Sequence, residues 1–332
     1  MNIAINGFGR IGRQAFKAGW GRKNFNIVAI NDLTDTKTLS FLLQYDTAYH
    51  KWNHQVSYDE KNLIIDGVKV PVFASKDPTT LPWKDLQVDV VIESTGKFTS
   101  EDGAKTHIAA GAKKVVISAP AKGGNVPTYV LGVNEEGLIK ETAVVINNAS
   151  CTTNSLAPVM AVLHEKFGVV KAMMSTVHGY TNDQNLQDGP HKDLRRARAA
   201  AENIIPTTTG AAIAVAEVLP DLKGKFDGIA LRVPVPVVSL SDITVVLAKQ
   251  TTAAEINAVL TEASKTDRLQ GIMSVTNEPL VSSDFVGNTS SGIVDLSLTK
   301  VVEGDLAKIV VWYDNELGYS NRLVEIIEKF GA

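Results

Sequence analysis

The chain contains one cysteine, Cys151, among 332 residues. Without a second thiol no internal disulfide can form, which suits a reducing cytosol and excludes a disulfide-stapled secreted scaffold. Excess basic charge is missing too: 33 lysines and arginines face 36 aspartates and glutamates, a net charge of −3. With no basic stripe, nucleic acid and anionic membrane are not expected as main partners. No apolar run approaches the ~18 residues of a membrane span. The opening Met1-Asn2-Ile3-Ala4-Ile5-Asn6 enters a strand-like segment directly, without the basic start and apolar stretch of a signal peptide. A cytoplasmic location is therefore expected. Internal repeats, low-complexity tracts and Pro/Gly/Ser-rich linkers are absent, so any domain boundary lies inside packed structure. What is present is a globular composition, 44% hydrophobic and 21% charged, in a chain long enough for about two domains.

The first half alternates strand-like and helix-like stretches. Apolar runs occur at Ile3 to Asn6, Ile27 to Asn31, Val88 to Ser94, Val115 to Ser118, Tyr129 to Val133 and Val144 to Asn147. Several lack alternation, as expected of strands covered on both faces of a parallel sheet. Helical patterns fall at Ile11 to Ala18, at Thr38 to Leu43 and ahead of Gly111. This order predicts right-handed crossovers and a Rossmann-type doubly wound α/β sheet over residues 1–148.

After Ser150 the pattern changes. A helix is expected from Thr152 to Phe167, with Pro158 in its first turns or kinking it. Longer strand-like runs follow at Val170 to His178, Ile229 to Val238, Ile243 to Ala248, Met273 to Thr276, Ile293 to Ser297 and Lys308 to Trp312. Val294 to Leu298 alternates in polarity better than Thr244 to Leu247. Helices are expected at Ala211 to Leu219 and Ala253 to Ser264. An α+β domain with a mostly antiparallel sheet is predicted over 149–317. The last segment carries an apolar stripe of Leu323, Ile326, Ile327 and Phe330, and the helix at 318–332 is expected to pack back onto the first domain.

Gly7-Phe8-Gly9-Arg10-Ile11-Gly12 sits between a strand and a helix. In such a loop Gly7 permits a tight turn, Gly9 lets a pyrophosphate approach the backbone, and Gly12 lets helix and sheet pack closely. The helix start then faces the phosphates. The second strand ends at Asp32, twenty positions past Gly12, where an acid can accept from an adenosine ribose 2′-OH and repel a 2′-phosphate. Strand, loop, helix and acid together predict an NAD site.

Cys151 lies where an apolar strand gives way to hydroxyl residues and a helix. A helix N-terminus favours the thiolate. The next strand ends in Val177-His178-Gly179-Tyr180, at the same sheet end, so Cys151 and His178 form an activated nucleophile if their side chains meet. Pattern alone leaves each as either a core residue or a catalytic one. Arg232 interrupts the apolar run Ala230 to Pro234, a costly placement unless the charge is paired or faces a cleft. A guanidinium there suits phosphate oxygens.

Ala149-Ser150-Cys151-Thr152-Thr153-Asn154 resembles the active-site signature of the phosphorylating glyceraldehyde-3-phosphate dehydrogenases. The opening Ile5 to Arg13, Leu194-Arg195-Arg196-Ala197-Arg198, Ile205 to Ala212 and Trp312-Tyr313-Asp314-Asn315-Glu316 resemble the same family, in order along the whole chain. The resemblance implies NAD-dependent oxidation of glyceraldehyde 3-phosphate through a thiohemiacetal and a thioester on Cys151, with His178 moving the protons and inorganic phosphate releasing the product. It implies Thr181 and Arg232 at the substrate phosphate, with Ser150, Thr152, Arg196, Thr209 and Gly210 forming or bordering the second anion site. Cofactor contacts carried over are Arg10, Ile11, Asp32, Lys76, Thr95, Ser118 and Asn315, with Tyr319 near the nicotinamide. A homotetramer is implied, and no metal.

The match departs from the family pattern at three positions. Lys76 stands where many members have arginine, losing a planar face for adenine. Ser155 replaces a second cysteine common four residues after the nucleophile. Gly189 stands where strongly NAD-selective members often have leucine, which weakens exclusion of NADP. The rivals are erythrose-4-phosphate dehydrogenase, a cysteine hydrolase that would leave the glycine loop and Asp32 unexplained, and a non-catalytic nucleotide- or RNA-binding role.

Overall fold

A computed structural model describes residues 1–331. The chain divides into two compact units, one of residues 1–129, 136–149 and 320 onward, the other of 130–135 and 150–319.

The first unit contains β1 (Asn2–Asn6), α1 (Arg10–Gly19), β2 (Asn26–Asn31), α2 (Thr36–Gln44), β3 (Tyr45–Asp46), β4 (His50–Lys51), β5 (Val56–Tyr58), β6 (Asn62–Ile65), β7 (Val68–Phe73), β8 (Val90–Glu93), α3 (Glu101–Ala109), β9 (Lys114–Ile117) and β10 (Val145–Asn147). Its main sheet runs β10-β9-β8-β1-β2-β7-β6-β5. The strands are parallel from β10 to β7 and antiparallel from β7 to β5. β1 has β2 on one side and β8 on the other, so the winding reverses there and opens a crevice at the strands' carboxyl ends. The β-branched runs of β8 and β9 are buried almost throughout. Ala4, Ala29, Val91, Val115 and Ile117 pack beneath Trp83 and Ala104 in one core.

The second unit contains α4 (Cys151–Phe167), β11 (Val169–Gly179), β12 (Ile205–Thr208), α5 (Ala211–Val218), β13 (Phe226–Val233), β14 (Ser239–Leu247), α6 (Ala253–Ala263), β15 (Met273–Thr276), β16 (Gly292–Asp295), β17 (Lys300–Val302) and β18 (Leu306–Tyr313). Its sheet runs β12-β13-β11-β14-β18-β16-β15, with β17 beside β18. Only β11–β13 and β15–β16 are parallel. The sheet is mostly antiparallel, with α4 buried along most of its length. The chain closes with α7 (Leu317–Gly331), which joins the first unit from Ser320 onward. There Arg22 pairs with Glu328 at 2.9 Å.

Three sequence expectations are corrected. Tyr129 to Val133 is not a strand; the neighbouring Thr128 makes one isolated bridge to Asn147, and turns follow. The run from Ile229 breaks after Val233, at Pro234, and a new strand starts at Ser239. The better-alternating Val294 to Leu298 stops being a strand after Asp295, whereas β14 alternates between buried and half-buried residues along its whole length. Burial on a sheet is set by what covers each face, and a small or apolar residue can occupy either one. Pro158 is the eighth residue of α4, which is assigned as one helix from Cys151 to Phe167. The sacrificed N–H costs one bond, while Leu156, Ala157, Val159 and Met160 around it are fully buried. The strands of residues 45–73 and β12 are not among the sequence expectations; all but β7 have two to four residues, too few to show a period.

Candidate active site

Each glycine of the β1–α1 loop has its own physical reason. Gly7 adopts φ +91°, and a Cβ there would stand 2.7 Å from the Thr95 nitrogen. A Cβ on Gly12 would fall 2.1 Å from the Gly7 carbonyl oxygen. Gly9 is exposed, with nothing within 4 Å of its would-be Cβ. Two glycines thus close the loop and the third leaves its surface open. Gly9 is also the N-cap of α1, and neither a capping side chain nor an acid occupies that first turn. This helix start suits a phosphate.

Asp32 braces the same loop. Its Oδ2 accepts the Phe8 N–H at 2.7 Å and its Oδ1 the Thr34 N–H at 2.9 Å. Thr95 and Ser118 follow β8 and β9 at the crevice end of the sheet. Thr95 donates its hydroxyl to Glu93 Oε1 at 2.5 Å, and Ser118 N–H bonds the Glu93 carbonyl at 2.9 Å. Arg10 is held by Asp46 at 2.5 Å, Ile11 is half-buried on α1, and Lys76 is exposed beyond β7.

In the second unit, Ser150 caps α4, its Oγ accepting the Thr153 N–H at 3.1 Å. Cys151 is therefore the first helical residue, and its Sγ lies 3.6 Å from His178 Nε2 near the end of β11. Burial pushes the Cys151 thiol up; the Arg232 charge, the Thr152 hydroxyl and the N–H groups of the helix start pull against it. Burial, aided by Arg232, pushes His178 down to about 3, which keeps the imidazole neutral. Its Nδ1 faces two partners, the Gly179 carbonyl at 2.7 Å and Arg232 Nη1 at 2.6 Å. With the Nδ1 proton on the carbonyl, the Nε2 lone pair faces the sulfur and can take its proton. With Arg232 donating to Nδ1, Nε2–H faces the sulfur and can donate. The ring serves as base or as donor according to which Nδ1 partner it keeps, because an Nδ1 proton leaves no bond for Arg232 Nη1, itself a donor.

Arg232 sits opposite His178 in the parallel β11–β13 register. Its Nε is buried without a hydrogen-bond partner, and no carboxylate lies at ion-pair distance among the described residues. Burial works against its charge, so an anion is the partner this group lacks. Arg196 differs: it is held by Asp183, by Asp193 at 3.4 Å and by Thr207 Oγ1 at 2.9 Å. The Thr181 N–H bonds Gln184 at 3.2 Å. Thr209 Oγ1 accepts the Ala211 N–H at 3.2 Å, and Gly210 is the N-cap of α5, with open space at its would-be Cβ. Asn315 is buried, its Oδ1 accepting from Ser239 Oγ at 3.1 Å.

Residues 150–315 match the model of the glyceraldehyde 3-phosphate dehydrogenase C-terminal domain, and residues 1–101 that family's NAD-binding domain. The chain belongs to the glyceraldehyde-3-phosphate dehydrogenase family. It is 58% identical to the glyceraldehyde-3-phosphate dehydrogenase of Thermotoga maritima over 98% of both chains. It is 52% identical to that of Geobacillus stearothermophilus, over 98% of this chain and 97% of the relative. It is likewise 52% identical to that of Borreliella burgdorferi over 99% of both. The family makes the protein an NAD-dependent oxidoreductase, and places the glycine loop in the matched NAD-binding segment and Cys151 in the matched catalytic one.

Three residues at this dehydrogenase's sites were not found from sequence. Glu93 is buried and accepts from Asn6 Nδ2 at 2.6 Å as well as from Thr95. Its signal was available, an acid closing an apolar strand, as with Arg232. Tyr313, inside a motif read only for resemblance, bridges Thr152 and Thr176 at 2.8 Å each. Ser239, which orients Asn315, carries no signal beyond its place at a strand start.

Proposed function

We propose that the chain oxidises D-glyceraldehyde 3-phosphate to 1,3-bisphosphoglycerate with NAD and inorganic phosphate, using Cys151 as nucleophile and His178 as acid–base. The observation that carries this reading is the Cys151–His178 contact at 3.6 Å beside Arg232, whose buried guanidinium has an unfilled donor. Cys151 adds to the aldehyde carbon as His178 takes the thiol proton and passes it to the carbonyl oxygen, giving a thiohemiacetal and returning the imidazole to its neutral form. His178 then receives the hydroxyl proton while the carbon is oxidised to a thioester. NAD, when bound, supplies the hydride acceptor. Phosphate oxygen attacks the thioester carbon, the Cys151 thiolate leaves, and the acyl phosphate is released.

Gly7, Gly9, Arg10, Ile11, Gly12, Asp32, Lys76, Thr95 and Ser118 would hold the cofactor, with Asn315 at the nicotinamide amide. The open Gly9 surface, the acid-free start of α1 and the Asp32 carboxylate fit a dinucleotide. Thr181 and Arg232 would take the substrate phosphate. Ser150, Thr152, Arg196, Thr209 and Gly210 would take or border the attacking one; Arg196 then shifts its charge from Asp183 to the anion.

A homotetramer in the cytoplasm completes the proposal. The outer face of the second unit's sheet supports self-association: Met173 on β11 is 61% exposed, Ile229 on the adjacent β13 48%, and Leu306 on β18, beyond β14, 38%. No helix among the described residues is long and apolar enough to cross a membrane.

Reduced-nicotinamide absorbance, followed with glyceraldehyde 3-phosphate and NAD with and without phosphate, tests the reaction. Sustained turnover needing both phosphate and Cys151, lost in Cys151→Ser, is expected. Folded protein that binds NAD but gives no turnover would sink the substrate and lead to erythrose 4-phosphate.

A further inference from the structure

Beside Cys151 lies a line of hydroxyls from three different elements. Thr152, on α4, places its Oγ1 4.0 Å from Cys151 Sγ and 2.8 Å from Tyr313 Oη on β18. Tyr313 Oη is in turn 2.8 Å from Thr176 Oγ1 on β11. All three residues are buried, at 4%, 1% and 1% exposure, so none exchanges these contacts for water. Beyond Thr176 the line ends in a long contact, 3.4 Å, to the Leu240 carbonyl.

Counting protons fixes how the line can run. Each hydroxyl has one proton to donate and can accept. While the sulfur is a neutral thiol, Thr176 can donate to Leu240, Tyr313 to Thr176, and Thr152 to Tyr313, so the line points away from Cys151. Once the sulfur is a thiolate, Thr152 is drawn to donate to it. Tyr313 must then donate to Thr152, and Thr176 to Tyr313, abandoning only the weak Leu240 contact. No proton moves between residues; three O–H bonds rotate. Hydrogen bonds aligned in series strengthen one another in a low-dielectric interior, and a charged acceptor gains most.

We propose that Tyr313 is a positioning residue for the nucleophile: it links Thr176 to Thr152 in a reversible hydroxyl chain that turns toward Cys151 when the sulfur is charged. This role rests on Cys151 being the nucleophile, but it concerns the thiol alone and is independent of which aldehyde is oxidised. The other charged or titratable groups acting on Cys151 are His178 on β11, Arg232 on β13 and Tyr319 on α7. None of them belongs to the hydroxyl line. Tyr313 also meets the His178 ring edge-on at 6.0 Å between centroids, a contact that phenylalanine keeps.

The pH dependence of Cys151 alkylation by iodoacetamide, in full-length protein without aldehyde or NAD, tests the chain. In Thr152→Val the midpoint should rise by about one unit, the loss of a hydrogen bond to a charged group. In Tyr313→Phe it should rise by roughly 0.3–0.5 unit, the series contribution. In the double variant the Tyr313→Phe increment should vanish. An unshifted Tyr313→Phe midpoint, or an increment that survives in the Thr152→Val background, overturns the proposal. If Tyr313→Phe does not fold, Thr176→Val carries the same test from the far end: a smaller rise that disappears with Thr152→Val is expected, and no rise overturns it. Failure of dehydrogenase turnover with the alkylation shifts intact would count against the substrate reading and leave this one standing.

Discussion

The polar groups around the glycine loop are paired with one another; those around Cys151 are partly held in reserve. In the first unit Asn31 donates to Asn6 at 2.7 Å, Asn6 to Glu93 at 2.6 Å, and Trp83 to His107 at 3.0 Å, while Asp32 is fixed by the loop's own N–H with lone pairs to spare. The surface this network leaves for a ligand is backbone, at Gly9 and the start of α1. In the second unit the thiol is pushed up, the imidazole pushed down, and Arg232 Nε unpartnered. A binding surface of backbone can be fully satisfied before its ligand arrives. The reactive one is not, because the thiol and imidazole must exchange a proton and the Arg232 guanidinium keeps a donor for an incoming anion.

The largest effect that would sharpen this contrast is on chemistry. His178→Asn keeps a polar side chain of similar reach but cannot take a proton at Nε2. kcat should fall by about 10²–10⁴-fold, with NAD affinity in the first unit unchanged. Stopped-flow turnover and NAD fluorescence titration read the two separately. An equal loss in both would erase the distinction between the regions.

Within the glycine loop the comparison can be broken at single-atom scale. Gly12→Ala drives a Cβ to 2.1 Å from a backbone oxygen, an overpacking that costs about 1–3 kcal/mol, and a lower Tm without NAD is expected. Gly9→Ala meets nothing within 4 Å, so its unliganded Tm should match the parent. Its NAD affinity should nevertheless fall about tenfold or more, because the added methyl covers the surface left for the pyrophosphate. A Gly9→Ala protein that binds NAD normally would show that the open backbone is not the binding surface.

The same contrast explains what could be read from the sequence. The glycine loop, Asp32 and the alternating elements of the first unit were legible because their constraints are local: a fixed spacing sets a turn, and the turn sets the site. The catalytic cluster was not. Cys151, His178 and Arg232 come from three elements separated by 27 and 54 residues, and no spacing rule joins them. A helix-start thiol, a strand-end imidazole and a charge inside an apolar strand marked them only as candidates, and resemblance to a family joined them; parallel pairing of β11 and β13 is what brings His178 and Arg232 into register. Tyr313 and Ser239 escaped for the same reason, being defined only by what they touch. The strand limit near Asp295 failed where face coverage, not residue type, decides burial, and the run through Pro234 ends there because proline cannot donate to the ladder.

A smaller effect concerns acid. His178 is held down to about 3 from its usual 6.5, so between those values the unfolded chain binds a proton that the folded chain refuses. Its contribution to stability is present above pH 6.5 and is lost as pH falls toward 3. Replacing it with asparagine should make the acid limb of ΔG against pH shallower there, by up to about 1.4 kcal/mol per pH unit. Denaturant midpoints measured from pH 7 to 4 test this, and parallel limbs for parent and variant would mean that the imidazole is not held neutral.

The smallest effect lies in the first unit, where pairing is expected to be structural only. Tyr129 donates to Glu141 at 2.5 Å; burial and this bond push the phenol up to about 12, and the bond holds the carboxyl below its ordinary range. A depressed carboxyl contributes above its unfolded value near 4.5 and loses that contribution as pH falls through the lower folded value. A raised phenol contributes below its unfolded value near 10 and loses it as pH climbs through 12. Tyr129→Phe should therefore cost about 1 kcal/mol across the plateau between pH 5 and 10, and less at either end. kcat should not change, since no charge in the reaction touches this pair. If kcat fell with the stability unchanged, a paired residue of the first unit would be acting on the chemistry, and the division between a satisfied binding surface and an unsatisfied reactive one would not hold.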